Sequence, residues 1–424
     1  MVEDTIFALS SGRPPAAISI IRITGSRAHD AGMILCGSLP EPRMAAVREL
    51  HHPQSSELLD EALVLRFDSP HSSTGEDILE LQCHGGRAVV DAVLSALAGI
   101  EGLRLAAPGE FTRRAFDNGR IDLTEAEGLA DLIEAETESQ RKAAMALAEG
   151  GLRKQIAEWQ ESLLSMSARA ERAIDYDDED EVLDPSLLRD CEALAIELRT
   201  WLARPRAEKL KDGVLVVIAG RPNVGKSSLI NVIAGEERAI VTDIPGTTRD
   251  HIEVPFSLGG VPIRLTDTAG LRDAVDHVEV IGVQRAERLV EEADVLVWLG
   301  HSADAPKHAR LIGVHPKADL GGGPAAGSIP VSSVTGEGIP ALLERIEAEA
   351  RTVLPGEDSI SLNRRQARHI SEAAEALGCA SRANELVLVA EHLRLARTAF
   401  DRLTGRAGVE DVLDALFSRF CLGK

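Results

Sequence analysis

Aromatic side chains are scarce in this chain, at 3% of 424 residues with a single tyrosine. Its cores must therefore be filled by Ala, Leu, Val and Ile. The five cysteines, at 36, 83, 191, 379 and 421, form no CxxC pair. That spacing excludes a disulfide framework and a thiolate zinc site, and it fits a reducing cytoplasm. No run of 18 apolar residues occurs, which argues against a membrane-spanning helix. The opening MVEDTIFALSSGRPP has no basic lead followed by an apolar segment, as a secretory signal would. Positive charge is in deficit as well. Lys and Arg number 46 against 68 Asp and Glu, a formal charge of −22. A protein that coats nucleic acid with its whole surface is excluded, because phosphate contacts need Lys and Arg. Any RNA contact must use a local patch. LNRRQARH, with Arg364, Arg365, Arg368 and His369, is the candidate, and a solvated helix face is the competing reading. The acidic run Asp175–Glu181 reads as a solvated loop or helix end.

The length suggests about three domains. Residues 1–120 mix short apolar runs with turns: AISIIRITG, ALVLRF and DILELQCHGG read as strands, and 26–36 and 87–98 as helices. This is an α+β unit. From 121 to 212 the pattern is helical and rich in Ala, Leu and Glu, with Asp122 or Thr124 placed to cap its start. Further helices are expected at 152–173 and 186–203. From 213 to 347 strand-like and helix-like segments alternate: VLVVIAG, HIEVPFSL, VPIRLTDT, VLVWLG, RLIGV and SIPVSS. Such alternation signals a doubly wound, mostly parallel sheet. From 348 to 424 the helical composition returns. The expected fold class is multidomain α/β and α, with a nucleotide-binding domain inserted into a helical one.

GRPNVGKS at 220–227 follows the apolar strand directly and matches G-x-x-x-x-G-K-[ST]. Its glycines let backbone N–H groups face phosphate, and the helix that follows adds its positive end. Lys226 reaches the β- and γ-phosphates, Ser227 is a magnesium ligand, and Asn223, Val224, Gly225 and Ser228 complete the loop. Thr248, in TDIPGTTRD, is the second magnesium ligand, and Thr242 and Thr247 lie in the same switch-like loop. DTAG supplies Asp267, Thr268, Ala269 and Gly270 beside metal and γ-phosphate. PKAD and VSSV face the base through Lys317, Asp319, Ser332, Ser333 and Val334. Pro316 stands where an asparagine is expected, and Asp319 remains. A carboxylate accepts from guanine's N1–H and exocyclic amine, a pair that adenine lacks, so guanine is the expected base.

The combination of GRPNVGKSSL, IVTDIPGTTRD, DTAGLR and a final FCLGK resembles the tRNA modification GTPase MnmE (TrmE) family. IIRITG, GEDILELQCHGG and GEFTRRAFDNGRIDLTEAE extend the likeness over essentially the whole chain. The departures are Pro316 and short connections before RLIGV and SIPV, which suggest a trimmed nucleotide domain. The resemblance implies a GTP hydrolase that modifies carbon five of the tRNA wobble uridine, adding an aminomethyl-type group. It implies a homodimer through residues 1–120 and a heterotetramer with an MnmG-type flavoprotein, the partner carrying the FAD. It implies nucleotide domains that meet across the dimer when GTP and potassium are bound. It also implies 5-formyltetrahydrofolate as one-carbon donor, with contacts at Arg22, Glu80, Arg120 and Lys424. For Arg22 and Glu80 taken alone, an ion pair at a strand end is the plainer explanation.

One residue of DTAGLR raises a question of mechanism. A glutamine after Asp-x-x-Gly would orient the attacking water, and here Leu271 can do no such thing. Arg249 and Arg272 are possible sources of positive charge, with surface roles as alternatives. A bound potassium ion is the other source. Asn223 offers a side-chain oxygen, and Thr242, Ile244 and Thr247 offer carbonyls and hydroxyls. The resemblance supports that set and places water positioning on Glu279, acting through an intervening water. Two further readings stay open: a GTP-gated RNA-binding or ribosome-assembly switch without modification chemistry, and a degenerate GTPase scaffold motivated by Pro316. Cys421 reads as a buried packing residue more readily than as a nucleophile.

Overall fold

The computed structural model describes residues 4–175, 184–236, 253–267, 287–321, 327–356, 360–407, 410–420 and 423. They divide into two compact units, 1–130 with 401–424, and 131–400.

The first unit carries a six-stranded sheet: β1 (Thr5–Leu9), β2 (Ile18–Thr24), β3 (Ala45–His51), β4 (Leu58–Phe67), β5 (Ile78–His84) and β6 (Leu103–Leu105). The order is β3-β4-β5-β2-β1-β6, antiparallel except for the β1–β6 pair. ILELQCH alternates because one face is sealed: Leu79, Leu81 and Cys83 are buried under helices Ala28–Cys36 and Arg87–Ala98. β4 pairs with β5, Leu65 opposite Glu80. Helix Leu123–Glu134 begins at Asp122, whose Oδ1 accepts the Glu125 N–H at 3.0 Å while Glu125 Oε2 accepts the Asp122 N–H at 2.8 Å. This reciprocal cap satisfies two donors that a helix start leaves orphaned. The chain's last helix, Glu410–Phe417, packs its Leu413, Leu416 and Phe417 on Leu123 and Ala126.

In the second unit, helices Glu138–Ala148, Gly151–Asp175 and Pro185–Leu202 replace the unbroken helical pattern that begins at 121. The break at 135–137 is made by Thr137, which caps the next helix in a box with Gln140. Trp159 and Trp201 meet edge to face at 5.3 Å, and Phe400 stacks on Trp159 at 6.0 Å. The few aromatics are thus concentrated where helices cross.

The second sheet has β7 (Val214–Gly220), β8 (Glu253–Leu258), β9 (Val261–Asp267), β10 (Val295–Leu299), β11 (Leu311–Pro316) and β12 (Ile329–Val331), in the order β12-β11-β10-β7-β9-β8. It is parallel except at β8. The sheet is mostly parallel, as expected, but strand and helix do not alternate at β8 and β9. β8 and β9 form a hairpin, because Gly259 and Gly260, at φ 55° and 81°, fit the two left-handed positions of a tight turn. Pro255 is tolerated because β8 is an edge strand. Between β10 and β11 only a 3-10 turn, Ser302–Asp304, stands where a crossover helix is usual. The trimming expected from the short connection is real.

Candidate functional site

Strand β7 is apolar and buried along VLVVIA because both faces of the sheet are covered. It sits where the strand order reverses, with β10 on one side and β9 on the other. The carboxyl ends of such strands open into the ligand crevice of doubly wound folds. Gly220 closes β7 at φ 157°, and a Cβ there would stand 2.5 Å from the Leu299 carbonyl oxygen. Asn223 takes the left-handed region at φ 61°, which asparagine tolerates better than most residues. Gly225 follows at φ 109°. The chain then enters helix Lys226–Glu236.

Lys226 is 6% exposed, and its Nζ donates to the Gly220 and Arg221 carbonyls, each at 3.2 Å. The cation is thereby held inside the loop where phosphate oxygens would replace those carbonyls. Ser227 Oγ donates to Asp267 Oδ2 at 2.8 Å. Asp267 pairs in register with Ile218, so two neighbouring strands bring carboxylate and hydroxyl together. Two hard oxygens side by side suit magnesium. Val224 is half-buried against the core, and Ser228 is exposed.

The residues expected to face the base lie just past the carboxyl ends of β11 and β12. Lys317, at φ 57°, donates through Nζ to the Asn223 carbonyl at 3.4 Å. Asp319 lies in the turn Ala318–Leu320. Ser332 is fully buried; its Oγ donates to Asp319 Oδ1 at 2.6 Å and accepts the N–H groups of Val334 and Thr335, both at 3.2 Å. The hydroxyl proton is therefore committed to Asp319, which fixes the carboxylate. Ser333 is half-buried, and Val334 is 86% exposed. With Pro316 in place of an asparagine, the loop is tied to the phosphate loop by Lys317, while an exposed Arg221–Asp304 ion pair at 2.8 Å joins the phosphate loop to the turn after β10. Thr242, Ile244, Thr247, Thr248, Arg249, Thr268, Ala269, Gly270, Arg272 and Glu279 lie outside the described residues.

In the first unit, Arg22 on β2 faces Glu80 on β5 in register, with Nε donating to Oε1 at 2.9 Å. Each charge has the other as its partner, as the plainer sequence reading expects. Both remain partly open, at 27% and 16% side-chain exposure, so a ligand can reach them. Arg120 is exposed, its stem beside Gly75. Cys421 and Lys424 lie outside the described residues, but Gly423 is placed. It is buried at φ 91°, its carbonyl accepts Ser10 Oγ at 2.8 Å, and an added Cβ would stand 2.2 Å from the Leu9 oxygen. Ala8 pairs with Arg22 and Leu9 with Ile21, so Gly423 meets the sheet one strand away from Arg22.

Two features had no sequence signal. Asp60, nearly buried, accepts both the His84 backbone N–H at 2.8 Å and its ring Nδ1 at 2.7 Å, and the carboxylate holds the exposed imidazole above the ordinary histidine range. Arg114, 7% exposed, is shared by Asp4, Glu76 and Glu110. Their sequence separations, from 4 to 110 residues, give no local pattern to read. The LNRRQARH patch is partly answered: Glu372 accepts from Arg368 and meets His369 at 3.0 Å each, as on a solvated face.

Among known families, the MnmE helical domain model matches residues 123–421, and the model of the GTP-binding protein TrmE N-terminus matches residues 5–120. The tRNA modification GTPase MnmE of Zymomonas mobilis is 49% identical over 99% of this chain and 100% of its own length. That of Erythrobacter litoralis is 50% identical with the same coverage. Among solved structures, the G domain of the T. maritima FeoB iron transporter covers 32% of this chain and 98% of that one at 26% identity, with a TM-score of 0.25.

Proposed function

The chain belongs to the tRNA modification GTPase MnmE family, and from that premise we propose that it couples GTP hydrolysis to aminomethyl-type modification of the wobble uridine of tRNA. The observation that carries the hydrolytic half is the cradle at the end of β7: Lys226 withdrawn into the loop, Ser227 on Asp267, and Asp319 fixed by Ser332. In this reading residues 1–120 bind folate and dimerise, 121–212 and 348–424 form the helical domain, and 213–347 form the G domain.

Magnesium held by Ser227 and Thr248 would neutralise charge between the β- and γ-phosphates. Potassium near Asn223, Thr242, Ile244 and Thr247 would supply the positive charge that an arginine gives elsewhere. Lys226 and the loop N–H groups orient the phosphates, and Glu279 aligns the attacking water through a second one. Arg22 and Glu80 are a donor–acceptor pair suited to a pterin edge, and Lys424, which follows Gly423 in the sequence, would add a cation to the bound folate. The reduced folate bound there would bring the one-carbon unit. An MnmG-type flavoprotein would contribute FAD in a heterotetramer, in the cytoplasm. Among the described residues no helix is long and apolar enough to cross a membrane.

Equilibrium dialysis with 5-formyltetrahydrofolate tests the folate assignment. The wild-type protein is expected to retain the folate. Gly423→Ala, which drives a Cβ into the Leu9 carbonyl at a left-handed φ, is expected to lose about tenfold to a hundredfold in affinity, the worth of one charge-assisted hydrogen bond. Its basal GTP turnover should be unchanged. Absence of folate retention by the wild type would leave a GTPase switch without this chemistry.

A further inference from the structure

Three side chains of the first unit have no part in the sites above. His29 lies on helix Ala28–Cys36, Asp68 directly follows β4, and Asp77 directly precedes β5. One imidazole nitrogen and one oxygen from each carboxylate lie within 4.8 Å of one another. His29 Nε2 is 3.3 Å from the Phe67 carbonyl and 3.7 Å from Asp68 Oδ1, and Nδ1 is 3.6 Å from Asp77 Oδ2. At 3.6–3.7 Å a nitrogen and an oxygen share no hydrogen bond. One ring nitrogen can ligate an ion; from either one the nearer carboxylate oxygen, at 3.6–3.7 Å, stands close to the edge of a metal coordination shell, where ligands at ~2.0–2.2 Å are roughly 3.0–3.5 Å apart, and the ligand atoms of all three side chains fit within 4.8 Å.

The carboxylates are also braced from behind. Arg66 forks onto Asp68 at 2.7 and 3.2 Å, and the Ser69 N–H donates to Asp77 Oδ1 at 2.8 Å. Asp77 Oδ2 is left turned to the ring. Outer contacts of this kind orient ligands in metal sites. All three side chains are half-buried. One imidazole, two carboxylates and a carbonyl, without thiolate, make a donor set suited to first-row divalent ions.

We propose that His29, Asp68 and Asp77 form a binding site for a first-row divalent cation, with zinc as its probe. The competing occupant is a proton, giving an imidazolium between the two aspartates.

The test uses the full-length protein, stripped by chelator and then saturated with GDP and magnesium to fill the nucleotide site. Zinc is titrated by calorimetry and by its effect on the melting temperature. Asp77→Asn keeps the Oδ1 acceptor for Ser69 and removes the charge; His29→Ala removes the nitrogen. The wild type is expected to take up one more equivalent of zinc than either variant, or to bind it at least about tenfold tighter, with a zinc-dependent rise in melting temperature that the variants lack. Should His29→Ala fail to fold, Asp77→Asn decides alone. Equal zinc binding by wild type and Asp77→Asn overturns the proposal. So does a wild type that takes up no zinc while its His29 ring titrates as an imidazolium by NMR.

Discussion

Asp319→Asn is expected to lower GTP affinity by roughly 10²–10⁴-fold and to make xanthosine triphosphate the better ligand. Guanine presents two donors, N1–H and the exocyclic amine, and a carboxylate accepts both. An amide accepts one and sets its own N–H₂ against the other, which leaves a donor facing a donor. Xanthine carries an oxygen at that position and accepts from the amide instead. The inversion should be clean because Ser332 Oγ, locked by two N–H groups, pins the side chain to one orientation at 2.6 Å. Asparagine can still accept that bond through Oδ1. Affinities for both nucleotides by fluorescence titration read the effect. An unchanged GTP affinity would mean that Asp319 does not face the base, and that Pro316 has cost this loop its recognition role.

Lys226→Ala should reduce single-turnover GTP hydrolysis by about 10²–10³-fold, the usual cost of removing one preorganised charge from a phosphoryl site. It should weaken nucleotide binding as well, since the ammonium would contact the β-phosphate in the ground state. The fold should survive. Lys226 opens a helix, where alanine is well tolerated, and its partners include two loop carbonyls that water can satisfy. Circular dichroism with rapid-quench assays separates the two effects. A variant with native helix content and native hydrolysis would remove Lys226 from the reaction.

The phosphate loop was legible because it is local: eight consecutive residues after an apolar strand specify backbone and chemistry together. The strands AISIIRITG and DILELQCHGG were legible for the same reason, since one buried face enforces alternation. β1, β3 and β6 were missed. TIFAL and LRL are too short to show a period, and β3 is an edge strand with most side chains partly open. The helical break at Thr137 was missed because Glu, Ala and Ser keep their helical preference up to the cap, which tertiary context alone selects. Two contacts between distant residues left no trace. Ser10 meets Gly423 across 413 positions, and Asp60 meets His84 across 24. The resemblance supplied the relevance of the terminal motif; the seat of its Gly423 at the end of β1 needed coordinates.

Leu271 stands where a water-orienting glutamine is usual, and the proposed source of the rate is a cation beside Asn223 together with Glu279. GTP turnover measured at equal ionic strength in potassium and in sodium addresses this most directly, with Asn223→Ala alongside. Turnover at least about tenfold faster in potassium, with the advantage lost in the variant, is the expected result. Equal rates in the two salts for the wild-type protein would contradict it.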